Sequence, residues 1–150
     1  MTSTYSPCTR CGKINRVAIS RAAGKKPVCG SCKSELPLHG AVNELGQGDL
    51  LALLQKAPVP VVADFWAPWC GPCLSFAPTF ERVAGELGGE VIFVKVNTEA
   101  NRFAGETYGF RSIPTLIFFR NGLEVGRQAG ALPAEMLTQW LKQQLGKRVA

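Results

Sequence analysis

The chain has 150 residues, 46% hydrophobic and 19% charged, the composition of an ordinary globular protein with no low-complexity tract. No apolar run approaches the roughly 18 residues a membrane helix needs, and Met1 to Cys8 has no charged start followed by an apolar stretch, so a cytoplasmic protein without a membrane anchor is expected. The formal charge of +6 sits in the first quarter: residues 1–36 carry seven basic residues against Glu35, whereas residues 37–150 balance ten basic with ten acidic ones. That asymmetry divides the chain into a small basic module, 1–36, and a larger domain, 37–150.

Residues 1–36 have no helical or strand periodicity, and their apolar side chains are few: Ile14, Val17, Ile19, Val28 and Leu36. A segment this short needs a staple to fold. Four cysteines are available, as Cys8-Thr9-Arg10-Cys11, seventeen residues, then Cys29-Gly30-Ser31-Cys32. Without an export signal, this spacing fits a four-thiolate site for one Zn²⁺ per chain, with Gly12 and Gly30 permitting the tight turns. Two disulfides or a flexible tail are the alternatives. The module is basic, but it has one aromatic residue, Tyr5, and no stacking platform, so nucleic-acid binding is not expected.

Leu36 to Gly40 reads as a junction, and His39, the only histidine, as incidental. Gln47 to Gln55 is a short helix ending before Pro58. Val59 to Trp66 is an apolar run broken by Pro60 and Asp64, the pattern of a strand covered on both faces. Gly71 to Leu87 is a helix with Phe76, Phe80, Val83, Ala84 and Leu87 on one face and Pro78 expected to kink it. Val91 to Val96 is a second buried strand, and Asn101 to Tyr108 a short helix. Thr115 to Arg120 and Leu123 to Gln128 flank Asn121-Gly122, a strong hairpin signal. Pro133 opens a last helix carrying Met136, Leu137, Trp140, Leu141 and Leu145, with Lys142, Lys147 and Arg148 near its end. The order predicts an α/β sandwich with a mixed central sheet and a terminal hairpin.

The third cysteine pair, Trp69-Cys70-Gly71-Pro72-Cys73, lies where a buried strand meets a helix. Thiol–disulfide exchange needs a thiolate, and a helix N-terminus favours one through its partial positive charge and free N–H groups. Cys73, three residues on, shares the face of Cys70 and can close a small disulfide ring. The pair therefore reads as a redox dithiol rather than a metal knuckle or two inert thiols. Asp64 is a lone carboxylate in an apolar strand and should have either a partner or a raised pKa.

The segment Asp64-Phe65-Trp66-Ala67-Pro68-Trp69-Cys70-Gly71-Pro72-Cys73 resembles the active-site segment of the thioredoxin family. The likeness continues through Pro78, Phe93-Val94-Lys95-Val96-Asn97, Arg111-Ser112-Ile113-Pro114-Thr115 and Gly130-Ala131-Leu132, covering roughly residues 40–150. The resemblance implies a thioredoxin fold and a protein-disulfide reductase and electron carrier acting on disulfide-bearing proteins. Cys70 would attack, and Cys73 would resolve. Asp64 would take the Cys73 proton, with Lys95 assisting; its alternative is an Asp satisfied by backbone or Lys95 without a kinetic role. Pro114 would be cis, facing the dithiol. Trp69, Gly71, Pro72, Ile113, Pro114 and Gly130 would dock substrate backbone, and Trp66 would pack in the core. Gly71-Pro72 resembles the reducing members, and Leu74 departs from the basic residue many members carry there. The family's reductant is an NADPH-dependent thioredoxin reductase, and a monomer is expected.

A zinc ribbon ahead of such a domain is similar to the zinc-binding, thioredoxin 2 type, and Ile14-Asn15-Arg16 and Val94-Lys95-Val96-Asn97-Thr98-Glu99-Ala100 extend that likeness over nearly the whole chain. It leaves open whether the zinc site is structural or redox-sensitive, and whether the ribbon is an adaptor.

Overall fold

The computed structural model describes residues 3–19 and 26–147. Arg21 and Lys25 of the basic module and Arg148 beyond the last helix lie outside the described residues.

The apolar run before Trp66 becomes strand β5 (Val61–Trp66), the centre of a six-stranded sheet. It is preceded by β3 (Leu38–His39), β4 (Val42–Glu44) and helix α1 (Gln47–Lys56). Helix α2 (Gly71–Leu87), β6 (Ile92–Asn97), helix α3 (Ala104–Tyr108), β7 (Thr115–Arg120), β8 (Leu123–Ala129) and helix α4 (Ala134–Gly146) follow it. The sheet order is β3-β4-β6-β5-β7-β8. β4, β6 and β5 are parallel, with α2 as the crossover between β5 and β6, while β7 and β8 run antiparallel. The mixed sheet expected from the order of elements is present.

Alternation along the strands splits the core in two. On one face Val62, Phe93, Leu116 and Phe118 meet Phe76, Phe80, Val83, Ala84 and Leu87 of α2 and Leu137 and Leu141 of α4. On the other Val61, Ala63, Phe65, Val94, Val96 and Ile117 meet Leu50, Leu53 and Leu54 of α1 and Ala104 at the start of α3. Met136, grouped by spacing with the buried face of α4, is exposed instead. Asn121 (φ 53°) and Gly122 (φ 79°) both hold the positive φ of a two-residue hairpin turn. α2 runs through Pro78 as one helix; proline there withholds the N–H that the Leu74 carbonyl would accept.

The first quarter of the chain corrects the reading that it lacks strand structure. β1 (Ser3–Pro7) and β2 (Ile14–Ala18) form an antiparallel hairpin. Its alternation is invisible to hydropathy because Thr4 and Ser6 on the buried face are polar. Ser6 Oγ donates to Asn43 Oδ1 (2.6 Å) and Asn43 Nδ2 donates to the Tyr5 carbonyl (3.0 Å), so Asn43 ties β1 to the sheet, while the buried Thr4 hydroxyl has no partner in the protein. β3 and β4, also unanticipated, are too short to carry a period, and β4 owes its place to pairing with β6. The hairpin packs on the larger fold: Tyr5 and Ile14 join the α1 face and Ile19 the α2 face. A Cβ on Gly88 would lie 2.7 Å from Ile19 Cδ1 and 2.8 Å from the Ala84 carbonyl oxygen, so the end of α2 admits the hairpin only because residue 88 has no side chain.

Candidate functional site

The β5–α2 junction turns at Ala67-Pro68-Trp69, where the Cys70 N–H donates to the Ala67 carbonyl (3.1 Å). Cys70 is the N-cap of α2 in extended backbone geometry, and its sulfur accepts from the Cys73 N–H (3.2 Å), as a capping serine oxygen would. Gly71 and Pro72 fill the first turn, where a proline costs no helical hydrogen bond. Cys70 and Cys73 are joined in a disulfide with Cα atoms 5.2 Å apart. The helix N-terminus that caps the sulfur also favours negative charge there once the pair is reduced.

A second element faces this junction. The Ile113–Pro114 peptide is cis, and the Ile113 carbonyl oxygen lies 3.8 Å from Cys70 Sγ. Gly130, at φ +91°, donates its N–H to the Pro114 carbonyl (2.8 Å), bringing the end of β8 alongside. Trp69 is 71% exposed, Gly71 and Pro72 are exposed and Ile113 half-buried. Of the residues expected to dock substrate, Trp69, Gly71 and Pro72 adjoin the disulfide in sequence and Ile113 reaches it in space, while Gly130 is joined to Pro114, which is itself buried. Trp66 packs against Cys70 and Cys73, the core position expected of it.

Asp64 sits on the α2 side of β5, fully buried, in register with Lys95 of the parallel β6. Neither carboxylate oxygen has a hydrogen-bond partner in the protein. Burial pushes its pKa from 3.8 up to about 7, and the Lys95 charge pulls it partly back. The Lys95 ammonium lies over the Trp66 ring, 4.3 Å from its centroid. Asp64 thus has no hydrogen bond to backbone or to Lys95, and Lys95 acts on it through its charge.

The other four cysteines meet at the far end of the β1–β2 hairpin. Their sulfurs lie within 4.8 Å of one another, with Cys8–Cys32 at 3.5 Å and Cys11–Cys29 at 3.6 Å. Tetrahedral thiolates at a Zn–S distance of about 2.3 Å stand about 3.8 Å apart, close to the two shortest pairs here, so this donor set fits zinc once the widest pair draws in. Each pair forms a knuckle. The Cys8 and Cys29 sulfurs accept backbone N–H bonds from Cys11 and Ser31 (both 3.4 Å), and the Cys8 and Cys29 carbonyls accept from Gly12 (2.8 Å) and Lys33 (3.0 Å). The turn-forming residues are Gly12 (φ 82°) and Lys33 (φ 64°); Gly30 does not adopt a positive φ, which corrects its expected role. Gly30 instead gives its N–H to Asn15 Oδ1 (2.9 Å). The Cys32 and Ser31 N–H groups, together with the Asn15 amide, lower the Cys29 thiol against its burial, while the same cluster raises its neighbour Cys11, so the sulfurs share their protons unequally. His39 lies in β3, exposed, with Nε2 3.8 Å from Glu44 Oε2 and outside the cluster.

Three supporting residues had no role assigned to them from the sequence, although Asn15 lies in the Ile14-Asn15-Arg16 segment. Asn15 links the two knuckles, and Asn43 links the hairpin to the sheet. Arg127 donates to the Tyr108 (2.8 Å) and Gly109 (3.0 Å) carbonyls while paired with Glu124, bracing the start of the loop that ends at Pro114. Polar residues of this kind are recognised only once their distant partners are known.

The thioredoxin family model matches residues 41–143. Thioredoxin C-3 of Corynebacterium nephridii is 41% identical over 139 residues, 92% of this chain and 93% of that protein. Thioredoxin of Haemophilus influenzae is 38% identical over 104 residues, 69% of this chain and 97% of its own length, and Thioredoxin 1 of Nostoc sp. is 47% identical over 87 residues, 58% and 81% of the two chains. Fold and kinship agree: the chain belongs to the thioredoxin family and is a thiol-disulfide oxidoreductase of the protein-disulfide reductase type.

Proposed function

We propose that Cys70 and Cys73 carry the reaction. The observation behind this is a disulfide whose first sulfur caps the N-terminus of α2 beside the Ile113–Pro114 loop. In the reduced protein the Cys70 thiolate attacks one sulfur of a substrate disulfide, forming a mixed disulfide and expelling the first substrate thiolate. Cys73, deprotonated with Asp64 as proton acceptor and Lys95 tuning that carboxylate, then attacks Cys70 Sγ and expels the second. The substrate gains two electrons and two protons, and the protein leaves as the Cys70–Cys73 disulfide. Trp69, Gly71, Pro72, Ile113, Pro114 and Gly130 form the docking surface. An NADPH-dependent thioredoxin reductase is the reductant that restores the dithiol.

Residues 1–36 form a zinc ribbon of the thioredoxin 2 type on a 37–150 reductase domain, with Cys8, Cys11, Cys29 and Cys32 holding one Zn²⁺. Zinc would supply a structural cross-link there and no redox chemistry. The Corynebacterium relative, which shares 92% of the chain, matches well into the ribbon, and this supports the two-part organisation. No described helix is long and apolar enough to cross a membrane; a cytoplasmic monomer without nucleic-acid binding completes the reading. The test is reduction of insulin disulfides: Cys70→Ser is expected to abolish it and Cys8→Ser to retain it. Full activity in Cys70→Ser overturns the assignment. Zinc retained at peroxide doses that fully oxidise Cys70 would favour the structural over the redox-sensitive form of the metal site.

A further inference from the structure

From Phe65 to Phe80 the sequence contains no Asp, Glu, Lys or Arg, although the chain as a whole is basic. This charge-free stretch spans the disulfide and the first half of α2. Within it Leu74 is 52% exposed, and it belongs to none of the apolar clusters of the fold. Its N–H donates to the Cys70 carbonyl (3.1 Å). That bond closes the first turn of α2 and sets Leu74 about 6 Å along the helix from the cysteine that caps it. Pro78, exposed, continues that row, and Trp69 flanks the sulfur on its other side. At this exposure the core does not need an apolar side chain at position 74.

We propose that Leu74 is a specificity-determining residue, taking an apolar side chain of the disulfide-bearing polypeptide about two residues from the cysteine under attack. The spacing follows from chain geometry. An extended substrate advances about 3.3 Å per residue, so about 6 Å from Cys70 corresponds to the second residue along. That residue also points to the same side as the attacked cysteine. The row is continuous with the reactive disulfide, and it lacks the charges that would recognise an ionic sequence. The occupant is therefore an apolar flank of the substrate. This inference rests on the assignment of Cys70 and Cys73 as the reactive dithiol.

The test uses three disulfide-linked peptides with Leu, Gly or Glu two residues to either side of the cysteine, with dithiothreitol regenerating the full-length protein. The readout is the ratio of kcat/KM between peptides. Covering the exposed half of a leucine corresponds to about five-fold, so the Leu:Gly ratio is expected to fall by about that factor in Leu74→Ser and to recover in Leu74→Met. Leu74→Lys is expected to raise the Glu:Gly ratio, and added salt to cancel the rise. A Leu:Gly ratio in Leu74→Ser within two-fold of the unaltered protein, or no recovery in Leu74→Met, overturns the proposal and leaves the dithiol reading intact. Failure of the unaltered protein to turn over any of the three peptides overturns the dithiol reading, and the proposal with it.

Discussion

The chain holds three Cys-x-x-Cys turns that begin alike and end differently. In each of them the N–H of the second cysteine faces the first sulfur: Cys73 to Cys70 at 3.2 Å, Cys11 to Cys8 at 3.4 Å, and Cys32 to Cys29. The path of the backbone beyond the second cysteine separates them. After Cys73 the backbone stays helical to Leu87, so Cys73 remains one turn above Cys70 and the two sulfurs bond to each other. After Cys11 the chain reverses at Gly12, and the Cys8 N–H donates to the Lys13 carbonyl (2.8 Å). Cys29–Cys32 reverses likewise at Lys33. Each knuckle then meets the other, and the near neighbours are Cys8 with Cys32 and Cys11 with Cys29. A helix after the pair sets a disulfide across one turn; a reversal after it sets half of a four-sulfur cluster.

The largest effect that can break this comparison is loss of the metal. One zinc per chain is expected by metal analysis. Stripping it with a chelator should remove a contribution on the order of 10–16 kcal/mol from the ribbon. Amide exchange should then accelerate in β1 and β2 while β5 and α2 keep their protection. Disulfides among Cys8, Cys11, Cys29 and Cys32 in a freshly reduced sample would contradict the division of roles.

Next in size is Asp64. Its folded pKa of about 7 lies above the unfolded value of 3.8, so the folded state holds the extra proton between those values. The protein loses stability as pH rises from about 4 through 7, by on the order of 4 kcal/mol in all. Asp64→Asn cannot ionise, so its stability relative to the parent should grow by that order between pH 4 and pH 8 in urea unfolding. A gap that does not change with pH would mean the carboxylate is solvated or paired.

The contact between the two regions is smaller. Asn43→Ala leaves the buried Ser6 hydroxyl and the Tyr5 carbonyl without their partner and should cost about 2 kcal/mol. In a double-mutant cycle Ser6→Ala should recover part of that loss, and independent effects would show that the hairpin stands apart from the sheet.

The smallest effects come from the glycines that distinguish the turns. Gly12→Ala forces a side chain to φ 82° and should cost about 1–2 kcal/mol. Gly71→Ala has no atom within 4 Å of the new Cβ and lies in a helical first turn, so thermal unfolding should find it neutral or stabilising by up to ~1 kcal/mol. Equal costs at the two positions would remove the backbone distinction between a helical and a reversing turn.

Legibility tracked how local the physics was. The β5 run, α2 and the hairpin around Asn121-Gly122 were readable because hydropathy period and turn chemistry act within a few residues. The β1–β2 hairpin was not, because its buried face carries the polar Thr4 and Ser6, and the Ser6 hydroxyl finds its partner in Asn43, far along the chain. At the site, the dithiol and the Ile113–Pro114 loop were legible through their resemblance to a family. The bracing by Arg127, the link through Asn15 and the unpartnered state of Asp64 were not, since each depends on which groups the fold brings near.

The sequence by itself determined the kinds of chemistry available: a Cys-Gly-Pro-Cys pair opening a helix, four further cysteines at ribbon spacing, and one acid in an apolar strand. Tertiary structure decided how they are used. It set β6 beside β5, so that Asp64 is in register with Lys95 yet without a hydrogen bond, and brought Ile113 within 3.8 Å of Cys70 Sγ. It also folded two knuckles over Asn15 into one four-sulfur cluster. The reason is physical: a residue's reactivity depends on desolvation and neighbouring dipoles, and these come from parts of the chain distant in sequence.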